Sequence, residues 1–295
     1  MIAAVVVAVI AVLMPSSQIC ADLFVATPVK LPSEVIPGDF LKVTWPSAKS
    51  AGQFLSVSNR RASWLNDRTA FLGIGAFPTV TVIGRLKYSP GGLFTYPREI
   101  FFQKVIKVSL INLTRAIKLR LPAAVWDRLK NFSQTQVGEV FAMLRRLTSP
   151  VNGKFNFHQC WHPPLHYMYV TSRFASPRTP PHAKPYYHTG IDLRAPMRTP
   201  VHVAASGKVM YIGDNPITGN IVIVDHGGGI YSEYMHLSKF KVTVGEQVNR
   251  GQVIGLSGAT GRVTGPNLHW ELSWKGISIS ALRFLQVTAP TCGRG

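Results

Sequence analysis

The chain has 295 residues, 46% of them hydrophobic, which is enough to bury a real core and too many for one small domain. Charge is sparse and one-sided: 32 Lys and Arg against 13 Asp and Glu give a net +19, which excludes an acidic or charge-balanced surface. Such a surface suits polyanions, namely nucleic acid, anionic lipid or lipopolysaccharide, or an anionic cell-wall polymer. No nucleic-acid-binding module with stacking aromatics is recognisable, so specific nucleic-acid recognition is not expected, and the sequence sets no oligomeric state.

Residues 1–21 read as an export signal. IAAVVVAVIAVLM is an apolar run of about a dozen residues, short for a membrane span and suited to a signal core. PSSQICA follows, with Ala21 as the last residue before cleavage. No Lys or Arg precedes the run, which equally suits an uncleaved anchor. The expected location is therefore the periplasm or the exterior, where Cys160 and Cys292 would be free to pair.

From 22 to 113, short runs rich in Val, Ile, Phe and Thr are closed by Pro, Gly or Asn: FVAT, IPGDFLKVTWP, FLSVS, AFLGIGAFPTVTVIG and IFFQKVIKVSLI. This pattern predicts a small antiparallel β-sandwich with no clustered His, Cys or acid. Over 114–150 the period changes. Val125, Leu129, Phe132, Val137, Val140, Phe141 and Leu144 recur at roughly helical intervals, predicting one or two helices broken near Gly138 or Ser133 and serving as a connector.

The stretch 151–187 is rich in Pro, His and aromatics. His158, His162 and His166 are four apart, but Pro163 and Pro164 interrupt any helix that would align them, so loop histidines are expected. From Arg198 onward short strands follow closely, with Gly227 to Gly229 reading as a hairpin turn. A compact, twisted antiparallel β-sheet domain is expected over 151–289, with a tail at 290–295, and the chain as a whole is expected to be mainly β.

Two stretches carry the chemistry. YHTGIDLRAP places His188 and Asp192 around Gly190, where the backbone can bend and bring both toward one ion. Imidazole and carboxylate are good zinc ligands, but two make half of a tetrahedral site. The best third ligand is His269 in GPNLHWEL, which leaves the fourth position for water. Strand alternation points Asn267, His269 and Glu271 one way and Leu268, Trp270 and Leu272 toward a core. The same alternation puts Tyr234 and His236 of YSEYMHLS on one face, leaving His236 and Asn267 as neighbours of the open position. Glu271 reads equally as a partner orienting a ligand imidazole or as an exposed strand acid. His182, His202 and His226 have no assigned role.

HTGID, EYMHLS and GATGRVTGPNLHWEL, with SRFASPR upstream and VGEQVNRGQVIG between, resemble the lysostaphin or LytM-type zinc metalloendopeptidases of bacterial peptidoglycan, from about Ser172 to Leu285. The 22–113 region resembles, more loosely, the β domain preceding the peptidase in some secreted members. The resemblance implies one zinc held by His188, Asp192 and His269, His236 beside the attacking water, and peptidoglycan peptide as substrate, with the basic surface against an anionic envelope. The chain departs from the family at Asn267, where the first histidine of an HxH motif is usual, and at Ala175, where glycine is usual. Arg178 keeps the family's arginine, while Ser280 and Ala281 stand where Asp-Pro is frequent. An Asn amide can hydrogen-bond an oxyanion but cannot exchange a proton near neutral pH. The alternative is a catalytically impaired relative that binds the wall or regulates another hydrolase.

Overall fold

The computed structural model describes residues 122–130, 132–153, 161–179 and 186–288, together with segments 34–35, 38–44, 54–57, 60–61, 63–64, 69–74, 79–88, 98–108 and 117–118. The predicted export signal, the 290–295 tail, His158, His182, Cys160 and Cys292 lie outside the described residues. Among the described residues no helix is long and apolar enough to cross a membrane.

The chain is mainly β. Its largest element is a ten-stranded sheet whose main path runs Val170–Ser172, Ile191–Arg194, Asn267–Trp274, Ile230–Phe240, Gly219–Asp225, Gly207–Asn215 and Gln247–Val248. Every pairing in this sheet is antiparallel. The predicted Gly227–Gly229 turn joins two of these strands, and all three glycines have positive φ, where a β-carbon would be strained.

Period-two alternation sorts the side chains. On the 219–225 strand Val222 and Val224 enter the main core, while Ile221 and Ile223 enter a second cluster on the opposite face. The main core also takes Leu268, Trp270, Leu272 and Trp274 from the 267–274 strand, as the alternation predicts.

The second cluster is closed by a helix. Gln134–Leu147 starts at Ser133, whose hydroxyl accepts from the Gln136 backbone N–H (3.2 Å) while the Gln136 side chain accepts from the Ser133 N–H (2.9 Å). The break between helices therefore falls at Ser133. Ala123–Leu129 is the shorter helix, and Gly138 lies inside the longer one. Val140, Phe141, Leu144 and Leu147 pack against Ile221, Ile223, Tyr231 and Met235, so this helix does more than connect: it covers one face of the sheet.

The N-terminal strands form two sheets. One has the order 34–35, 98–108, 79–88, 54–57, 60–61 and the other 40–44, 69–73, 63–64. The run AFLGIGAFPTVTVIG, read as one strand-like stretch, divides between them. The smaller sheet is tied to the C-terminal helix Ala281–Thr288. Ser280 N–H donates to the Gly38 carbonyl (2.9 Å), Arg283 Nε to Asp39 Oδ1 (2.8 Å), and Ile74 joins the main core.

Candidate metal centre and cleft

Asp192 and His269 are directly opposed across the antiparallel pair formed by the 191–194 and 267–274 strands. Opposed residues on one face of a sheet stand close enough for their side chains to meet. His188 reaches the same point from the loop before the first strand, held by its N–H to Ser176 O (2.9 Å) and its carbonyl to Ala175 N–H (2.8 Å). Gly190 matters through close approach: a β-carbon there would sit 2.6 Å from His269 Nε2. Ala175, where glycine is usual, has φ 59°, the left-handed region that glycine occupies without strain.

The three inner donors form a small triangle. His188 Nε2 lies 3.0 Å from His269 Nδ1 and 3.2 Å from Asp192 Oδ1, and His269 Nδ1 lies 2.9 Å from Asp192 Oδ1. An ion about 2.0–2.1 Å from each of three tetrahedral donors needs separations of about 3.3 Å, so the triangle fits zinc with little adjustment. The outer atoms fix the tautomers. His188 Nδ1 faces the Arg173 carbonyl (2.9 Å) and His269 Nε2 faces Glu271 Oε2 (3.3 Å), both acceptors, which leaves lone pairs pointing inward.

Three inward lone pairs require a positive charge between them. Burial pulls His269 down, but its hydrogen bonds to Asp192 and Glu271 outweigh this and hold it at about 9 without metal. Burial would push Asp192 up, yet its polar contacts with the His188 and His269 rings keep its carboxyl well below the ordinary range. Burial lowers His188. In the metal-free protein a proton on His269 thus supplies the charge that a divalent ion would supply to all three donors. Among the described residues this is the one group of three metal-ligating side chains; His162 and His166 join no such group.

Outer contacts lock the triad. Arg178 Nη2 donates to Asp192 Oδ2 (2.7 Å) and to Ser172 Oγ (2.6 Å), while Oδ1 faces the two imidazoles. Glu271 is buried and accepts from Thr189 Oγ1 and Ser278 Oγ, both at 2.6 Å, so of its two readings the orienting one holds. His226 is a core residue, placed by Ser206 O and Ser232 Oγ, and His202 is held by the Gly251 carbonyl.

His236 corrects the predicted alternation. Tyr234 is fully buried and accepts from the Ala204 N–H (2.7 Å), whereas His236 lines the cleft beside the triad, its ring centroid 6.0 Å from that of His269. The cause is a bulge. Asn220 pairs with Leu237 but Val222 with Tyr234, so one strand spends an extra residue, and His236 adopts φ 66°. Non-glycine residues with that conformation are uncommon and concentrate at functional sites. His236 Nδ1 faces the Thr260 carbonyl (2.8 Å), which leaves Nε2 unprotonated, and burial with the His269 charge lowers the ring to about 3. Asn267 also lines the cleft, its Oδ1 buried without a partner among the described residues.

Two features were not read from the sequence as parts of the site. Phe141 of the 134–147 helix lines the cleft. Glu233 is cross-strand partner to Glu271 and lines a neighbouring cavity of about 350 Å³ under that helix. Burial and the Glu271 charge hold Glu233 well above its ordinary 4.5. A raised carboxyl contributes stability below the unfolded value of 4.5, and that contribution is lost as pH rises toward the folded value. Glu233→Gln is therefore expected to change urea stability least at about pH 3, below the unfolded value, and to raise it at pH 8. An equal effect at both pH values would refute the burial of a protonated acid.

Residues 186–281, which carry the triad and His236, match Peptidase family M23. This stretch is a Peptidase family M23 domain. Similar proteins include peptidoglycan DD-endopeptidase ShyA of Vibrio cholerae, 46% identical over 96 residues that make up 32% of this chain and 22% of that protein. The DD-carboxypeptidase/endopeptidase Mpg of Neisseria meningitidis is 38% identical over 128 residues, 43% of this chain and 29% of that protein. The chain thus spans under a third of the length of these relatives. A crystal structure assigned to peptidase M23 from Pseudomonas aeruginosa covers 85% of this chain and 94% of its own at 25% identity, with a TM-score of 0.57. That similarity carries the fold beyond the M23 domain into the N-terminal strands.

Proposed function

We propose that the chain is an exported zinc metalloendopeptidase that hydrolyses peptide cross-links of bacterial peptidoglycan. The observation that carries this reading is the triangle of inward lone pairs from His188, Asp192 and His269, open to a cleft that His236 also lines. Zinc held there supplies Lewis acidity and lowers the pKa of water it binds to about 7. Arg178 and Glu271 keep the donors aimed. His236, neutral with a free Nε2, accepts a hydrogen bond from the attacking water and passes the proton toward the leaving amine. Asn267 offers its carboxamide to the substrate but moves no proton. The net charge of +19 favours adsorption to an anionic envelope, an attraction that salt weakens.

A second reading, a relative that binds the wall without turnover, rests on Asn267. Purified protein is expected to hold one zinc and to release soluble fragments from peptidoglycan, and Asn267→His to accelerate release up to about 100-fold if a second imidazole contributes general catalysis. Stoichiometric zinc with no cleavage by either form would replace the enzyme reading with the binding one.

A further inference from the structure

The cleft holds a second arginine that the chemistry above does not use. Arg262 lies on the loop leading to the 267–274 strand, and its backbone N–H is fixed to the Ile217 carbonyl (2.9 Å). Its Nη2 donates to Tyr186 Oη (2.8 Å), and its guanidinium carbon stands 5.2 Å from the centroid of that ring. Both residues line the same cleft as the triad and His236.

The charges in the cleft do not balance. Asp192 is its one lining carboxylate among the described residues, and Arg178 already holds that group at 2.7 Å. Arg262 forms no ion pair with a carboxylate among the described residues, and its other donors remain for a ligand. A planar guanidinium braced on one side by a tyrosine is suited to a carboxylate, which it can grip with two parallel N–H donors.

We propose that Arg262, braced by Tyr186, binds the free carboxylate borne by the amine-side residue of a DD bond. This rests on the peptidoglycan reading above and narrows it. In a DD bond the carbon carrying the scissile nitrogen keeps its own carboxyl group, whereas an ordinary peptide or glycyl bridge presents a neutral amide at that place. Arg262 thereby sets which peptide bond is cut.

The test uses the full chain and two pairs of probes. The first pair is a DD-cross-linked muropeptide with that carboxylate free and the same compound with it converted to the carboxamide. The second is acyl-D-alanyl-D-alanine and its C-terminal amide, titrated by NMR as ligands. Wild type is expected to favour the free acid roughly 10–100-fold in kcat/KM, the range for hydrogen bonds to a charged group, and to bind the acid more tightly than the amide. Arg262→Met is expected to erase both preferences while keeping zinc content and thermal midpoint, with Arg262→Lys in between. Equal handling of acid and amide by wild type, or a preference that survives Arg262→Met, overturns the proposal. Wild type that preferentially binds the acid but cleaves neither muropeptide would support the role of Arg262 and sink the hydrolase reading instead.

Discussion

Asp192→Ala is expected to abolish stoichiometric zinc binding and cross-link hydrolysis together, and to lower the stability of the metal-free protein by about 3–5 kcal/mol, the usual range when one partner of a buried ion pair is removed. Asp192 carries two tasks on its two oxygens. Oδ1 faces both imidazoles, and Oδ2 takes the Arg178 guanidinium, whose side chain is only 9% exposed. Alanine strips the triad to two histidines and leaves the buried Arg178 with Ser172 Oγ but no counter-charge. Zinc content after dialysis, with urea unfolding of the metal-free forms, reads the two effects separately. A variant that kept one tightly held zinc would place the ion elsewhere, and the proposed reaction with it.

His236→Ala is expected to lower kcat about 10²–10⁴-fold, the range for loss of a positioned proton-transfer group, with zinc content unchanged. The imidazole is not one of the three converging donors, so the ion has no need of it. Its Nδ1 hydrogen is committed to the Thr260 carbonyl, which fixes the ring with Nε2 as the remaining base. Single-turnover hydrolysis of a purified cross-linked muropeptide checks this. Full activity in the variant would move the proton-transfer role to another group.

The convergence of His188, Asp192 and His269 was legible because their chemistry and spacing follow local patterns. His188 and Asp192 flank one glycine, and the polar-apolar alternation of Asn267 to Leu272 survives folding intact. His236 was legible as a residue but not as a direction. Alternation pairs it with Tyr234, and only the register shift against Asn220 and Val222 turns it into the cleft. Gly190 was read as a bend, yet it is the space occupied by the His269 ring that excludes a side chain there. Arg178, Glu233 and Phe141 depend on contacts between segments far apart in the chain, about which composition and periodicity say nothing.

The 134–147 helix has a practical consequence for anyone trimming the protein to its M23 domain. The family match begins at residue 186, but one wall of the cleft comes from Phe141, some forty-five positions upstream. A fragment starting at the match would lose that wall and bare Ile221, Ile223, Tyr231 and Met235 to water, inviting self-association. The smallest soluble, fully walled unit therefore begins ahead of Ser133, with its capping box intact.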